Sequence, residues 1–206
     1  MSRFWSIDSP LMNGLGTIAD IFLLNIIYVI CCVPLVTIGA ATTALYTVTM
    51  QITRNEYPAV TKAFFKAFKR NFKISTICWL VFMAVGFLLW FDFRIIGQVD
   101  GAARSAAKIA LGAVLVIYVM VLTYVFPYIA RFENDIKNTF KNAFMMSVAH
   151  FPFTLILSGL TIGIAVLTFF SGRTFAIATL AFFFIGFALL AYVKSRLFTK
   201  VFERYE

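Results

Sequence analysis

The sequence is poor in the residues that carry most enzyme chemistry and metal binding. Its 206 residues include one histidine, three cysteines and nine acidic residues. A single histidine excludes multi-histidine metal sites, and the chain has no H-E-x-x-H, G-x-S-x-G or G-x-x-x-x-G-K motif. We therefore predict that the protein is not an enzyme and needs no cofactor.

The three cysteines give no sign of a redox or metal site. Cys31 and Cys32 are adjacent and Cys78 stands alone, without a neighbouring histidine or a repeated C-x-x-C spacing. All three fall within long apolar runs. We predict that they are inert, buried thiols.

Charge is also scarce, at 13% of the residues, whereas 62% are hydrophobic and the mean hydropathy is +0.91. Soluble domains are only about half apolar, so a soluble core of this length cannot bury so much. Residues 21–53 form thirty-three consecutive positions without a formal charge. Because roughly 20 apolar residues cross the ~30 Å hydrocarbon core, this run holds two spans, or one span and a hairpin. The composition thus indicates an integral membrane protein.

The apolar runs predict an all-α fold, a polytopic membrane helix bundle of about six transmembrane helices in a single domain, residues 1–206. Helices are expected because lipid offers the backbone no hydrogen-bond partners. The predicted spans are residues 15–34, 36–53, 74–92, 107–127, 148–169 and 174–193. The second has an open alternative, since residues 39–53 are short and rich in threonine and alanine. They would then form a re-entrant hairpin, with the N-terminus outside the cell.

A net charge of +9 and a pI near 9.7 would suit nucleic acid binding in a soluble protein. Here the basic residues fall in the short segments between apolar runs, so membrane topology explains them better and no nucleic acid partner is expected. With the N-terminus in the cytoplasm, fourteen of the eighteen lysines and arginines lie inside. The four outside are Arg94, Arg104, Lys108 and Arg173. The positive-inside rule therefore favours two cytoplasmic termini.

The most informative hydrophilic stretch is TKAFFKAFKRNFK, residues 61–73. Phe64, Phe68 and Phe72 recur every four residues and form one face of a helix at about 100° per residue. The opposite face carries five bases, namely Lys62, Lys66, Lys69, Arg70 and Lys73. This pattern predicts a basic amphipathic cytoplasmic helix between spans two and three. It either anchors the topology against anionic headgroups or serves as a contact surface for a partner protein or lipid.

Polar residues inside the predicted spans are few. Asp20 and Asn25 lie in the first span and make a candidate intramembrane polar site. Asp20 either faces the bundle interior, marking an ion or proton path, or lies at the cytoplasmic interface. His150 opens the fifth span, where it either titrates near neutral pH or lies at headgroup level. Gly39 and the threonines of the second span favour close helix packing.

A weak internal repeat is also visible. Phe64, Ala67 and Phe68 recur seventy-six residues later as Phe140, Ala143 and Phe144. Both groups precede a predicted outward-going span. The pattern indicates that spans two and three are duplicated as spans four and five, a parallel repeat of the kind found in some transporters.

Several motifs resemble a known family. They are Asp8-Ser9-Pro10, Ala19-Asp20, the stretch PLVTIGAATTALY at residues 34–46, Arg54-Asn55-Glu56, and FFKAFKRNF at residues 64–72. With these residues the chain resembles the YesL-like family of bacterial membrane proteins. The resemblance implies a multi-pass protein of the bacterial cytoplasmic membrane. It implies no catalytic or binding residues, because the family has no established activity, although its members often accompany genes for carbohydrate uptake and polysaccharide degradation.

Two functions remain open from the sequence. The first is an accessory or regulatory protein associated with carbohydrate uptake, whose basic face contacts a membrane transport or sensor protein. The alternative is a small-solute transporter or channel that acts as a homo-oligomer, with a path between spans one, two and four. Its support is Asp20 and the internal repeat.

Overall fold

The computed structural model describes residues 10–56, 59–97 and 102–203. These contain eight α-helices: α1 Pro10–Cys32, α2 Ile38–Thr53, α3 Val60–Ile96, α4 Ala102–Arg131, α5 Ile136–Ala149, α6 Phe151–Phe169, α7 Gly172–Ala181 and α8 Phe187–Phe202. A 3₁₀ turn, Leu35–Thr37, joins α1 to α2, and a π-helical turn, Phe182–Gly186, joins α7 to α8. Four residues named in the sequence analysis lie outside the described residues, namely Arg3, Asp8, Ser9 and Arg204.

The predicted all-α bundle is confirmed for the described part of the chain, which contains no strand. Six helical segments there are long and apolar enough to cross a membrane. Their outer surface carries large apolar side chains: Phe87 is 64% exposed, Phe170 is 80% exposed and Leu167 is 65% exposed. Large apolar side chains on the outside, around an interior with small polar ones, suit a protein whose solvent is lipid.

Helix α2 is the central helix and packs against α1, α3, α4 and α8. Its candidate span is 56% buried, whereas no other span exceeds 22%. Gly39 lies so close to α3 that a Cβ there would overlap the Ser75 carbonyl oxygen and come within 2.6 Å of Trp79 Cβ. The predicted close packing around Gly39 is therefore present, and the absence of a side chain makes it possible.

Hydroxyl pairs join α2 to its neighbours. Thr43 and Ser75 are 2.8 Å apart between α2 and α3, and Thr49 and Ser195 are 2.7 Å apart between α2 and α8. All four side chains are fully buried. Thr49 also donates to the carbonyl oxygen of Leu45, one turn back on its own helix. Each hydroxyl thus finds a partner inside the bundle, as a buried polar group requires.

Helix α3 has 37 residues, which at 1.5 Å per residue is about 55 Å, well beyond the ~30 Å hydrocarbon core. Its first fourteen residues, Val60–Lys73, are called the basic arm below. The amphipathic segment was expected to be a helix of its own between spans two and three. It is instead continuous with span three, because the helix passes from Lys73 to Ile74 without a break.

In the second half of the chain, the amphipathic helix and the span that follows it are separated by a break, whereas α3 is continuous. Helix α5 ends at Ala149, and His150 has φ −112° and ψ 43°, outside helical geometry. Pro152 then lies in the first turn of α6, where the missing N–H costs nothing. The stretch equivalent to the basic arm in the proposed repeat is therefore a separate helix.

The last span is also longer than predicted. Helices α7 and α8 and the π-helical turn between them form one apolar segment, Gly172–Phe202, whereas the predicted span stops at residue 193. Ser171 caps its start, accepting from the backbone N–H of Arg173. The extra turns place Lys194 within the helical bundle rather than in a polar tail.

Candidate functional site

Asn25 holds the π-helical turn of the last span. It is fully buried, and its Nδ2 donates to the carbonyl oxygens of Phe182 at 3.0 Å and Phe183 at 2.8 Å. Its Oδ1 accepts from the backbone N–H of Ala188 at 2.9 Å. A π-helical turn disturbs the regular i to i+4 ladder, and a neighbouring amide can satisfy the released groups. The polar atoms of Asn25 are thus engaged with backbone.

Asp20 and Asn25 do not form one site. Five residues on an α-helix correspond to about 140° of rotation, so the two side chains lie on different faces of α1. Asn25 points into the bundle, whereas Asp20 is partly exposed. The sequence placed both in the first span without this distinction.

The basic arm presents its cations outward. Lys62, Lys66, Lys69, Arg70 and Lys73 are all exposed. The opposite face is packed on the protein, with Phe64 fully buried and Ala67 3% exposed. The predicted segregation of bases and rings is therefore present around Phe64. It fails at Phe72, which is 40% exposed and lies beside the basic face together with Phe65, 42% exposed.

A cleft of about 640 Å³ lies between the basic arm and the segment that joins α4 to α5. We call it the arm cleft. Its polar residues are Arg70, Asn71, Lys73, Glu133, Asn134, Asp135 and Lys137, and its apolar residues are Ile74, Ile77, Ile129, Phe132 and Ile136. Arg70 and Glu133 form an exposed ion pair across it, 3.7 Å between Nη1 and Oε1.

Asn71 is the unusual member of the arm cleft. It is 5% exposed, and its Nδ2 is buried without a hydrogen-bond partner among the described residues. A buried amide donor normally has a partner, and leaving one unmade costs about 1–3 kcal/mol. The arm cleft therefore contains an unused donor flanked by Arg70 and Lys73.

Lys194 was missed by the sequence reasoning, which assigned it to the cytoplasmic tail. It is 6% exposed, and its Nζ donates to Thr161 Oγ1 on α6 at 2.6 Å. The spacing held a signal, since Ala191, Lys194 and Phe198 recur at three and four residues and all lie in the buried stripe of α8. A lysine within an apolar helical stripe is a functional candidate by default in a membrane protein.

The cysteines and the histidine add no metal-binding geometry. Cys78 is buried, and Cys31 and Cys32 are half-buried. Among the residues that the structure describes, no three His, Cys, Asp or Glu side chains cluster as metal ligands would. The His150 ring lies 6.3 Å from that of Phe153, between centroids, at the start of α6.

Residues 21–93 match the family described as a protein of unknown function, DUF624. The matched stretch is about a third of the chain. It covers the second half of α1, all of α2 and the basic arm, and nearly all of α3. No curated protein and no solved structure matches the chain.

Proposed function

We propose that the protein is a non-enzymatic accessory or regulatory component of the bacterial cytoplasmic membrane, associated with carbohydrate uptake. In this function the basic arm contacts a membrane transport or sensor protein on the cytoplasmic side. The six apolar helices and the match to an uncharacterised family support the coarse part of this proposal. The resemblance to the YesL-like family supports the link to carbohydrate uptake.

The arm cleft, with the unused Asn71 donor, is the observation that carries the proposal. One face of the arm packs on the bundle through Phe64 and Ala67, so the arm is held in place. Its other face leaves five cations exposed. A surface whose position is fixed before binding loses less conformational entropy when a partner docks.

The residues of the arm cleft define the chemistry of the partner segment. Carboxylates of an acidic segment would pair with Arg70 and Lys73, and a turn of the Asn71 side chain would bring its buried Nδ2 within reach of a backbone carbonyl. An apolar side chain between them would cover Ile74 and Phe132, which line the cleft. We infer a short acidic segment with one large apolar residue.

The topology in this proposal has the basic arm and the C-terminus in the cytoplasm. Placing the arm there puts its five bases where anionic headgroups and cytoplasmic proteins are both present. Lipid headgroups then contribute to holding the arm near the surface, at about 1 kcal/mol for each base close to it. A lipid contact and a protein contact are separable, because only the protein contact needs Asn71.

The alternative, a small-solute transporter or channel acting as a homo-oligomer, makes a different prediction. Its support is Asp20, whose partial exposure on a single chain leaves it available to a second copy. Reconstituted vesicles containing only this protein should then pass a solute, and Asp20→Asn should slow the flux. An accessory protein alone passes none.

The test of the proposal is mass spectrometry of the proteins that co-purify from native membranes during growth on complex carbohydrate. We expect one transport or sensor protein in stoichiometric amount. Arg70→Gln with Lys73→Gln should remove it, and Asn71→Leu should weaken it. The matched control is Lys141→Gln with Lys200→Gln, which neutralises two exposed bases away from the arm cleft and should keep the partner.

Recovery of the protein alone, or of the same partner from both double variants, would overturn the proposal. Each variant must first reach the membrane in the amount of the unmodified protein. If neutralising the arm prevents insertion, the arm anchors the topology, and Asn71→Leu alone then tests whether the arm cleft is also a contact surface.

A further inference from the structure

A groove of about 310 Å³ lies between α3 and α4, at the end of the two helices away from the basic arm. We call it the α3–α4 groove. Helix α3 runs toward Ile96 and α4 returns from Ala102, so Phe93 and Lys108 lie at the end of the groove near this connection. Gly86 and Tyr118 lie at the other end. The groove thus runs from the membrane surface opposite the basic arm into the bilayer.

Two helical stripes face each other across the α3–α4 groove. The lining positions are 86, 89, 90 and 93 on α3, and 108, 111, 112, 115 and 118 on α4, which is the three- and four-residue spacing of one helix face. Among these described residues only Lys108 is charged. Tyr118 lies at the deep end, where its hydroxyl donates to the Phe82 carbonyl oxygen at 3.1 Å. At Gly112 a Cβ would meet nothing within 4 Å, so the missing side chain leaves the groove open.

Three bases meet at the surface end of the α3–α4 groove. Lys108 lines it, and Arg104 lies one turn earlier on the same face of α4. Arg94 follows Trp90 by one turn, and its Cζ is 5.1 Å from the centroid of the Trp90 ring. Neither ion pair found among the described residues includes any of the three, and Arg104 Nε has no hydrogen-bond partner there. The described acidic residue at this end is the exposed Asp92, so positive charge is in excess.

The position and length of the α3–α4 groove fit one leaflet. From Ile74, where α3 becomes apolar, to Arg94 the helix rises about 30 Å, which is the thickness of the hydrocarbon core. The three bases therefore lie at headgroup level. From Lys108 to Tyr118 the α4 wall extends about 15 Å, or half of that thickness. The deep end thus lies near the bilayer centre.

The shape and charge of the α3–α4 groove select its occupant. A helix with its side chains is about 10–12 Å across, which is too wide for a groove of 310 Å³ that is about 15 Å long. A single hydrocarbon chain is narrow enough. At the surface end, the excess of positive charge favours a phosphate, which lysine and arginine bind through charge-assisted hydrogen bonds. A ligand with both parts is an anionic phospholipid.

We propose that the α3–α4 groove binds one acyl chain of an anionic phospholipid whose phosphate pairs with Lys108, beside Arg104 and Arg94. The lipid belongs to the leaflet opposite the basic arm. Its chain lies over Gly112 and ends near Tyr118. This site is independent of the arm cleft and of the function proposed for it.

The test is native mass spectrometry of the full-length protein in mild detergent. Phosphatidylglycerol and phosphatidylcholine with identical chains are added in equal amounts. We expect one retained phosphatidylglycerol per protein, preferred over phosphatidylcholine by at least about tenfold, because each base near a headgroup strengthens the attraction about fivefold. Lys108→Gln should lower the preference about fivefold. The matched control is Arg173→Gln, an exposed base at the start of α7, which should keep it.

Gly112→Leu is the second variant, because it fills the α3–α4 groove and leaves the three bases unchanged. The new side chain enters open space, so the helices need not move apart. This variant should lose the retained lipid. Its control is Gly159→Leu on α6, where a Cβ also meets nothing within 4 Å and the lipid should stay.

Equal retention of the two lipids by the unmodified protein would overturn the proposal. An unchanged preference in Lys108→Gln, or unchanged retention in Gly112→Leu, would do the same. Glycerol phosphate, which has the anionic group without a chain, should not release the lipid at equal concentration, and release by it would refute the acyl-chain site. A dimer without lipid would show that a second copy covers the groove instead.

Discussion

The indole Nε1 of Trp79 donates to the carbonyl oxygen of Leu35 at 2.9 Å. This bond ties the 3₁₀ turn between α1 and α2 to α3. Helix α3 continues from Trp79 for seventeen more residues to Ile96, which is about 25 Å. The α1–α2 turn therefore lies far short of the Ile96 end of α3.

This relationship predicts where the α1–α2 turn lies in the membrane. The bases of the arm prevent α3 from entering the hydrocarbon before Ile74, so Trp79 lies within it and the turn lies beside Trp79. In a variant without native cysteines, an impermeant maleimide added outside should label Ile95→Cys and leave Val36→Cys unlabelled. Both positions are exposed on the protein, at 45% and 50%. Equal labelling would place the turn at the outer surface and favour a complete second span.

The close approach of α2 to α3 predicts a large effect of one methyl group. Gly39→Ala should destabilise the protein by about 1–3 kcal/mol, because the new Cβ would overlap the Ser75 carbonyl and Trp79. Thermal unfolding in detergent measures it. The control is Gly163→Ala, where a Cβ would meet nothing within 4 Å and the melting temperature should not fall. Similar melting temperatures for both variants would contradict the contact.

The engagement of Asn25 with the π-helical turn predicts a structural role for that residue. Asn25→Leu should cost about 2 kcal/mol, since it removes three hydrogen bonds and such bonds average about 0.6 kcal/mol between membrane helices. Asp20→Asn, at a partly exposed position on the same helix, should change stability little. The same unfolding assay compares them. A larger loss from the Asp20 variant would mean that the contacts of the two residues are misassigned.

The buried hydroxyl pairs predict measurable coupling between α2 and α8. In a double-mutant cycle of Thr49→Val and Ser195→Ala, the coupling energy should be about 0.6 kcal/mol and at most about 1.7 kcal/mol. The reference cycle pairs Thr49→Val with Ser75→Ala, because Ser75 bonds to Thr43 instead. That cycle should be additive. Coupling in the reference cycle and none in the first would contradict the pairing.

The fold class follows from hydropathy, because a helix makes all of its backbone hydrogen bonds within one segment, as a span in lipid requires. The close packing around Gly39 followed from residue size. The continuity of α3 was missed, since a change from polar to apolar composition at Ile74 suggests a boundary where the backbone has none.

The candidate site was harder to predict. The role of Asn25 depends on a π-helical turn 157 residues away in sequence, and nothing local to Asn25 indicates that partner. Lys194 was assigned to a tail because charged residues usually end an apolar run. Its burial depends on how α6 packs beside α8, which single-helix periodicity does not contain. The exposed bases of the arm were predictable, because one helix carries the whole pattern.

The unbroken course of α3 also has a mechanical consequence. A continuous helix transmits force along its axis, so a displacement of the basic arm would also move the end of the helix at Ile96. Helices α5 and α6 do not transmit force in this way, because the chain departs from helical geometry at His150 and bending there absorbs the motion. Helix α3 thus links the basic arm to Ile96 without interruption, whereas the second half of the chain has a break in the helix at His150.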